Sequence, residues 1–209
     1  PGDTPFENAQ FLLFLSAVIK AVDEYQDLLR ISVASPGNDH RLGANEAPPA
    51  IVSIYVGDEL TRVLKAIEED VGYNGKAKEL MRIGVDVLPR IPKDSTDRNR
   101  TSPFAFTGNK FEFRMLGSNA SVSDANTVLN TAVAQELGKF ADILEASGNF
   151  KVDLHNIVME TVRKHKRILF SGNGYDQSWV KEAEERGLSN LRTTPDALAH
   201  LLDEKNVKL

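Results

Sequence analysis

A helix-rich α+β fold with a few antiparallel strands is predicted by three features of this 209-residue sequence. Segments with helical apolar spacing dominate the chain. The β-branched or aromatic runs are short and too few to build a complete sheet on their own. A 41% hydrophobic and 26% charged composition is that of an ordinary globular body, without internal repeat or low-complexity tract. The length suits one domain, or one and a half.

Residues Thr4 to Leu29 read as one long helix. Thr4 caps it, Pro5 suits the first turn, and Glu7 stands three residues after Thr4 as in a capping box. Apolar residues cover most of its surface as far as Val22, which implies burial on more than one side. Ser35 to Pro49 is so rich in Pro, Gly and Asn that a loop is expected. Ala50 to Val56 reads as a buried strand. Leu60, Val63, Leu64 and Ile67 predict an amphipathic helix over Asp58 to Val71. A polar linker then runs to Pro89, and Ile91 to Arg100 is proline-containing and charged. From Phe104 to Leu116 aromatic and polar residues alternate, so Phe111, Phe113 and Met115 share one face while Glu112 and Arg114 project from the other. Ser123-Asp124 caps a helix from Ala125 to about Ala146, and Val152 to Phe170 forms the next. Tyr175 to Arg186 and Pro195 to Glu204 are shorter helices, the last capped by Thr194.

The charge balance narrows the function classes. With 25 Lys and Arg against 30 Asp and Glu the net charge is −5, and no cationic stripe is visible, so no nucleic-acid partner is expected. The most apolar stretch, Phe11 to Val22, is 12 residues long and contains Lys20, short of the roughly 20 residues a membrane span needs. No secretory signal is recognisable, and the absence of cysteine fits a reducing cytoplasm. Both ends read as cut, because the chain opens on Pro1-Gly2-Asp3 and runs out through Asn206 to Leu209 without a stop signal.

Two segments could carry chemistry. In Asn38 to Pro49 (NDHRLGANEAPP) an arginine and a glutamate, Arg41 and Glu46, lie five residues apart among small residues and prolines. Arg41 suits a carboxylate ligand through two parallel charge-assisted hydrogen bonds. The alternative is a solvated surface loop. In Asp97 to Arg114 four cations (Arg98, Arg100, Lys110, Arg114) surround Glu112 within 17 residues. A site for polyphosphate, a divalent metal and an anionic substrate has this composition, since the metal takes a hard oxygen and phosphoryl oxygens take arginines. The alternative is a salt-bridged face pairing Glu112 with Arg98 or Arg100. His155 and His165 lie ten residues apart among lysines and read as a solvated face. Neither a Walker-type loop nor a Ser/His/Asp set is present.

RLGANEAP, then DRNRTSPF, then NKFEFR, then SNASVSDANTVLN opening a helix, resemble in order the motifs of glutamine synthetase. The variant wording and the helical tail are similar to its type III branch. The resemblance implies the C-terminal part of the catalytic domain over residues 1–150, a helical extension over 151–209, and an N-terminal domain lying before Pro1. It implies an ATP-dependent ligase that joins ammonia to glutamate through γ-glutamyl phosphate, with Mg2+ or Mn2+, in a cytoplasmic homo-oligomer built as a double ring, a dodecamer. By position, Arg41 and Arg114 match arginines that hold glutamate, and Glu46 the flap glutamate that takes a proton from ammonium. Arg100 matches an arginine of the ATP and phosphoryl-transfer region, and Glu112 the metal-binding glutamate. Arg98 and Lys110 fall on cationic positions of that same ATP region. The Arg41 to Glu46 interval is one residue shorter than usual, and Ala105 stands where the usual form has a second nucleotide arginine. The remaining metal ligands would lie upstream, so the chain alone is expected to be inactive. The rival reading is a non-catalytic helical domain that mediates oligomer contacts.

Overall fold

In the computed structural model the described residues are 4–44, 46–73 and 102–209, with the backbone of 80–81 and 91–92. Arg98 and Arg100 lie outside them.

One helix organises the rest. α1 (Ala9–Glu24) is capped by Asn8, whose side chain accepts from the Phe11 amide at 3.0 Å. The expected helix start at Thr4 is instead a turn, in which Thr4 and Glu7 bond to each other. A break at Tyr25 separates α1 from α2 (Gln26–Ile31), so the long helix expected as far as Leu29 is two. Its wide apolar surface is accounted for on three sides. Leu12, Leu15, Ile19 and Val22 enter the main core, Ala17 meets Phe140 and Ile157, and Ala21 meets Ala132. Each large side chain buried this way is worth about 1.5–3 kcal/mol.

The segment after α2 is not an irregular loop throughout. Ser35 accepts from the Asn38 amide and Pro36 takes the first position, which starts α3 (Pro36–Arg41). The main chain then folds back tightly, with the Gly43 amide (φ 79°) donating to the carbonyls of Ala47 and Pro48. β1 (Ile54–Tyr55) follows, with Ile54 buried and Tyr55 half-buried, and α4 (Gly57–Glu68) matches the amphipathic spacing. β2 (Leu80–Met81) and β3 (Ile91–Pro92) pair antiparallel. β4 (Phe104–Phe106) and β5 (Phe111–Phe113) form a hairpin turned at Gly108 (φ 96°).

The sheet is mixed, not purely antiparallel, with order β1-β4-β5 and a parallel β1–β4 pair. A parallel neighbour requires a crossover, and the long connection from β1 to β4 supplies it.

α5 (Ser123–Glu145) and α6 (Phe150–His165) pack on α1, and α6 also packs on α4. Helix α6 stops before the expected Phe170. After a short 3-10 turn at Lys166–Ile168, Leu169 bridges Ile54, and the Phe170 amide donates to the Ile54 carbonyl at 2.9 Å. The apolar run that looks like helix in the sequence is captured by the open edge of β1. α7 (Gln177–Glu185), α8 (Thr194–Leu198) and α9 (Glu204–Lys208) complete the chain, α8 being capped by Thr193 through a capping box with Asp196 and not by Thr194. No helix among the described residues is long and apolar enough to cross a membrane.

His165 is buried, contrary to the solvated face expected for it. Its Nδ1 lies 2.7 Å from the Asp23 carboxylate, to which Arg167 also donates at 2.9 Å. The neighbouring lysines suggest exposure, but the turn that ends α6 swings this one ring against α1.

Candidate functional site

Arg41 is the last residue of α3, and three hydrogen bonds fix its guanidinium. Nε donates to Asn38 Oδ1 at 3.0 Å, and Nη2 donates to the carbonyls of Met115 (2.7 Å) and Leu116 (3.0 Å). Of the five donor hydrogens of an arginine, the two on Nη1 are left to meet a ligand. Asn38 is 4% exposed and also donates from Nδ2 to the carbonyls of Val33 and Met115, so it binds α3 to the strand end that carries Arg114.

A second clamp holds the same helix from behind. Arg30, 1% exposed, donates to Asp39 Oδ1 (2.5 Å) and to the carbonyls of Leu191 and Arg192. Asp39 in turn accepts from the Thr194 amide at 2.6 Å. Burial pushes the Asp39 carboxyl up, but the hydrogen bonds from Arg30 and Thr194 outweigh it and leave its pKa below the ordinary value.

On the hairpin, register places Ala105 opposite Glu112, and Ala105 is fully buried. Phe111 and Phe113 pack with Phe104, as the alternation requires, which leaves Glu112 and Arg114 on the opposite face. Glu112 is paired along its own strand: Arg114 donates to Oε2 from Nε (3.2 Å) and Nη2 (3.0 Å), and Lys110 Nζ stands 3.5 Å from Oε1. The bonds from Arg114 hold the Glu112 pKa below the ordinary carboxylate value, with Lys110 adding to the effect. The carboxylate is therefore ionised, as a metal ligand must be.

These pieces meet in one cleft of about 970 Å³. Arg41, Glu46, Lys110, Glu112 and Arg114 all line it, joined by Tyr175 from the C-terminal helical region. Arg41, Glu46 and Ser118 also line an adjoining depression of about 840 Å³ walled by His40, Asn119 and Ala120, so they form the ridge between the two. Glu46 is exposed, and its carbonyl accepts from the Tyr175 hydroxyl at 3.4 Å.

Sequence reasoning passed over Asn38, Asp39, Arg30 and Tyr175. An Asn three residues before an Arg is a local signal for the first, but Tyr175 and the Arg30–Asp39 pair reach partners 129 to 162 residues away in the chain and leave no local trace of those contacts.

For a divalent cation the cleft supplies a hard, ionised oxygen at Glu112, with Glu46 the other carboxylate among its described lining residues. The group Asp27, His200 and Asp203 lies elsewhere, and Lys205 and Asn206 already bond Asp27.

Comparison with known proteins gives concordant matches. A family model described as glutamine synthetase C-terminal domain matches residues 153–209, the stretch in which the sequence motifs are sparsest. The chain is 51% identical to the Type-3 glutamine synthetase of Dictyostelium discoideum, over 100% of this chain and 29% of that protein. It is 48% identical to a glutamine synthetase of Butyrivibrio fibrisolvens (100% and 30%) and 44% identical to one of Bacteroides fragilis strain YCH46 (99% and 29%). The chain thus spans less than a third of the length of these relatives.

Proposed function

The chain belongs to the glutamine synthetase family, and from that premise we propose that, as part of a longer polypeptide, it serves the ATP-dependent formation of glutamine from glutamate and ammonia through γ-glutamyl phosphate. The observation that carries this reading is the convergence of Arg41, Glu46, Lys110, Glu112 and Arg114, from two distant segments, on one cleft.

Arg41 meets a glutamate carboxylate end-on through Nη1, since Nε and Nη2 are held by the protein. This replaces the fork-to-fork contact suggested by residue type alone. Arg114 supplies a second cation for the same substrate. Glu46 on its ridge takes the proton from ammonium as the amine attacks, and its loop keeps water from the acyl phosphate. Lys110, with Arg98 and Arg100, serves the ATP phosphates. Glu112 would hold one divalent ion, Mg2+ or Mn2+, which when bound neutralises phosphoryl charge. Mg2+ binds through one or two carboxylates together with waters and phosphates, and Glu112 fits that role once Lys110 yields Oε1.

Residues 1–150 form part of the catalytic domain and 151–209 its helical extension. The assembled enzyme is a cytoplasmic double ring, a dodecamer, in which the longer polypeptide contributes both the remaining metal ligands and an N-terminal domain. The rival, a helical region that only mediates oligomer contacts, draws on the same small ligand set: by itself the 209-residue piece is inactive.

Arg41→Ala in the full-length protein tests the reading. Loss of a charge-assisted contact worth about 1.5–3 kcal/mol weakens glutamate binding roughly ten- to a hundredfold. Glutamate KM and kcat both equal to the parent's would remove Arg41 from the site, and glutamine made by the isolated piece would overturn its assignment as incomplete.

A further inference from the structure

The cleft has a wall that no motif announces. Tyr175 lies in the turn before α7, and its hydroxyl donates to the main-chain carbonyl of Glu46 at 3.4 Å. Among the described residues no other hydrogen bond reaches Glu46. The base of the Glu46 loop is closed by its own main chain, through Gly43 to Ala47 and Pro48 and the Leu42–Ala47 bridge. What fixes Glu46 beyond that base comes from Tyr175.

Tyr175 is itself held on a rigid path from the sheet. The Phe170 amide bonds Ile54, and Ser102 Oγ donates to the Phe170 carbonyl at 3.1 Å. The Phe170 ring stacks on Trp179, with centroids 3.6 Å apart. A Cβ at position 172 would stand 2.7 Å from that ring, so any larger residue here would have to displace the Phe170 side chain. Asn173 Oδ1 then accepts from the Tyr175 amide at 3.1 Å. The tyrosine is 40% exposed, so its ring contributes little core packing and its placement over the cleft needs another reason.

We infer that Tyr175 is a positioning residue for Glu46: its hydroxyl latches the Glu46 loop so that ammonia, and not water, meets the γ-glutamyl phosphate. The inference rests on the proposed function. In the productive step nitrogen forms a bond to the γ-carbon while the bond to the phosphate oxygen breaks. Phosphate leaves with the electron pair, and Glu46 carries the proton lost by ammonium. Water at the same carbon returns glutamate and phosphate, so a loosened latch shows as phosphate released without glutamine.

The test is Tyr175→Phe in the full-length protein, which keeps the ring and removes only the donor. Without ligands, peptides covering residues 42–49 should exchange amide hydrogen about two- to twelvefold faster, the range a single neutral hydrogen bond carries. In turnover the ratio of phosphate released to glutamine formed should rise about twofold or more, with glutamate KM within about twofold of the parent. Tyr175→Ala should raise the ratio further. Faster exchange with an unchanged ratio would make Tyr175 a merely structural contact, and unchanged exchange would mean no latch; either overturns the inference. The parent run in the same assay separates the two levels: a parent that forms no glutamine refutes the proposed function, whereas a parent that forms it beside an unaltered variant refutes Tyr175 alone.

Discussion

Asn38→Ala isolates what holds Arg41, the arginine proposed to meet the substrate. In the structure one buried amide makes three bonds: Nδ2 donates to Val33 (2.7 Å) and Met115 (3.0 Å), and Oδ1 accepts from Arg41 Nε (3.0 Å). Truncation leaves two carbonyls without that donor and a guanidinium without that acceptor, in a site 4% exposed. Two neutral bonds at about 0.5–1.5 kcal/mol and one to a charged group at about 1.5–3 kcal/mol set an upper range of roughly 2.5–6 kcal/mol. Arg41 keeps its bonds to Met115 and Leu116, and water enters the space vacated, so a loss of about 2–4 kcal/mol is expected. Urea denaturation of the purified protein measures it directly, through a lower midpoint at unchanged slope. Asn38→Asp keeps the acceptor toward Arg41 but loses both donors, so it should recover part of the glutamate affinity while remaining destabilised. A stability change under about 0.5 kcal/mol in Asn38→Ala, or Asn38→Asp no better than Ala in glutamate binding, would refute the reasoning.

Glu46→Ala in the full-length protein should spare ATP and glutamate binding yet slow the ammonia-dependent step, with phosphate outrunning glutamine; a ratio held at one with normal turnover returns Glu46 to a solvated loop. Glu112→Gln should shift the activity-against-Mg2+ curve to higher concentration, since a neutral amide poorly replaces a hard anionic ligand; superimposable curves would assign Glu112 to its ion pair with Arg114 alone. For acid stability, burial raises the Glu136 pKa but hydrogen bonds from Lys139 and Lys20 overcome it, so the folded value lies below the ordinary one. The stabilisation is therefore complete above the unfolded pKa of about 4.3 and lost as pH falls through the folded value. Glu136→Gln should flatten the fall of the urea midpoint below about pH 4.5, and a parallel pair of pH curves would contradict this.

Legibility followed the range of the interaction. Local signals placed the amphipathic α4 and, on the hairpin, the opposed faces of Phe111/Phe113 and Glu112/Arg114. They also supplied five residues that share the cleft. Helix α3 was hidden because Gly37 and Asn38 are loop-formers, although Ser35-Pro36 is a sound helix start and Asn38 is spent on long-range bonds. The end of α6 was misplaced because Ile168, Leu169 and Phe170 are equally apolar in helix or strand, and only the exposed edge of β1 decides between them. His165 was misjudged from its lysine neighbours, since its partner Asp23 lies 142 residues away.

The site and the C-terminal helices are consequently hard to separate mechanically, although sequence motifs and the family-model match fall on different parts of the chain. Arg30 holds α3 by its Asp39 on one side and the carbonyls of Leu191 and Arg192 on the other. Leu169 and Phe170 extend the sheet whose hairpin bears Glu112. Tyr175 reaches the Glu46 loop. Three separate elements of residues 153–209 thus each bear on a different wall of the cleft. Taking an ion pair out of water costs several kcal/mol per charge unless its hydrogen bonds are met, and Arg30 offsets this cost through Nε and Nη2 while its Nη1 is buried without a hydrogen-bond partner among the described residues. That the bonds of Arg30 run from the core to this region and to the helix carrying Arg41 is the physical reason to treat both as parts of one site.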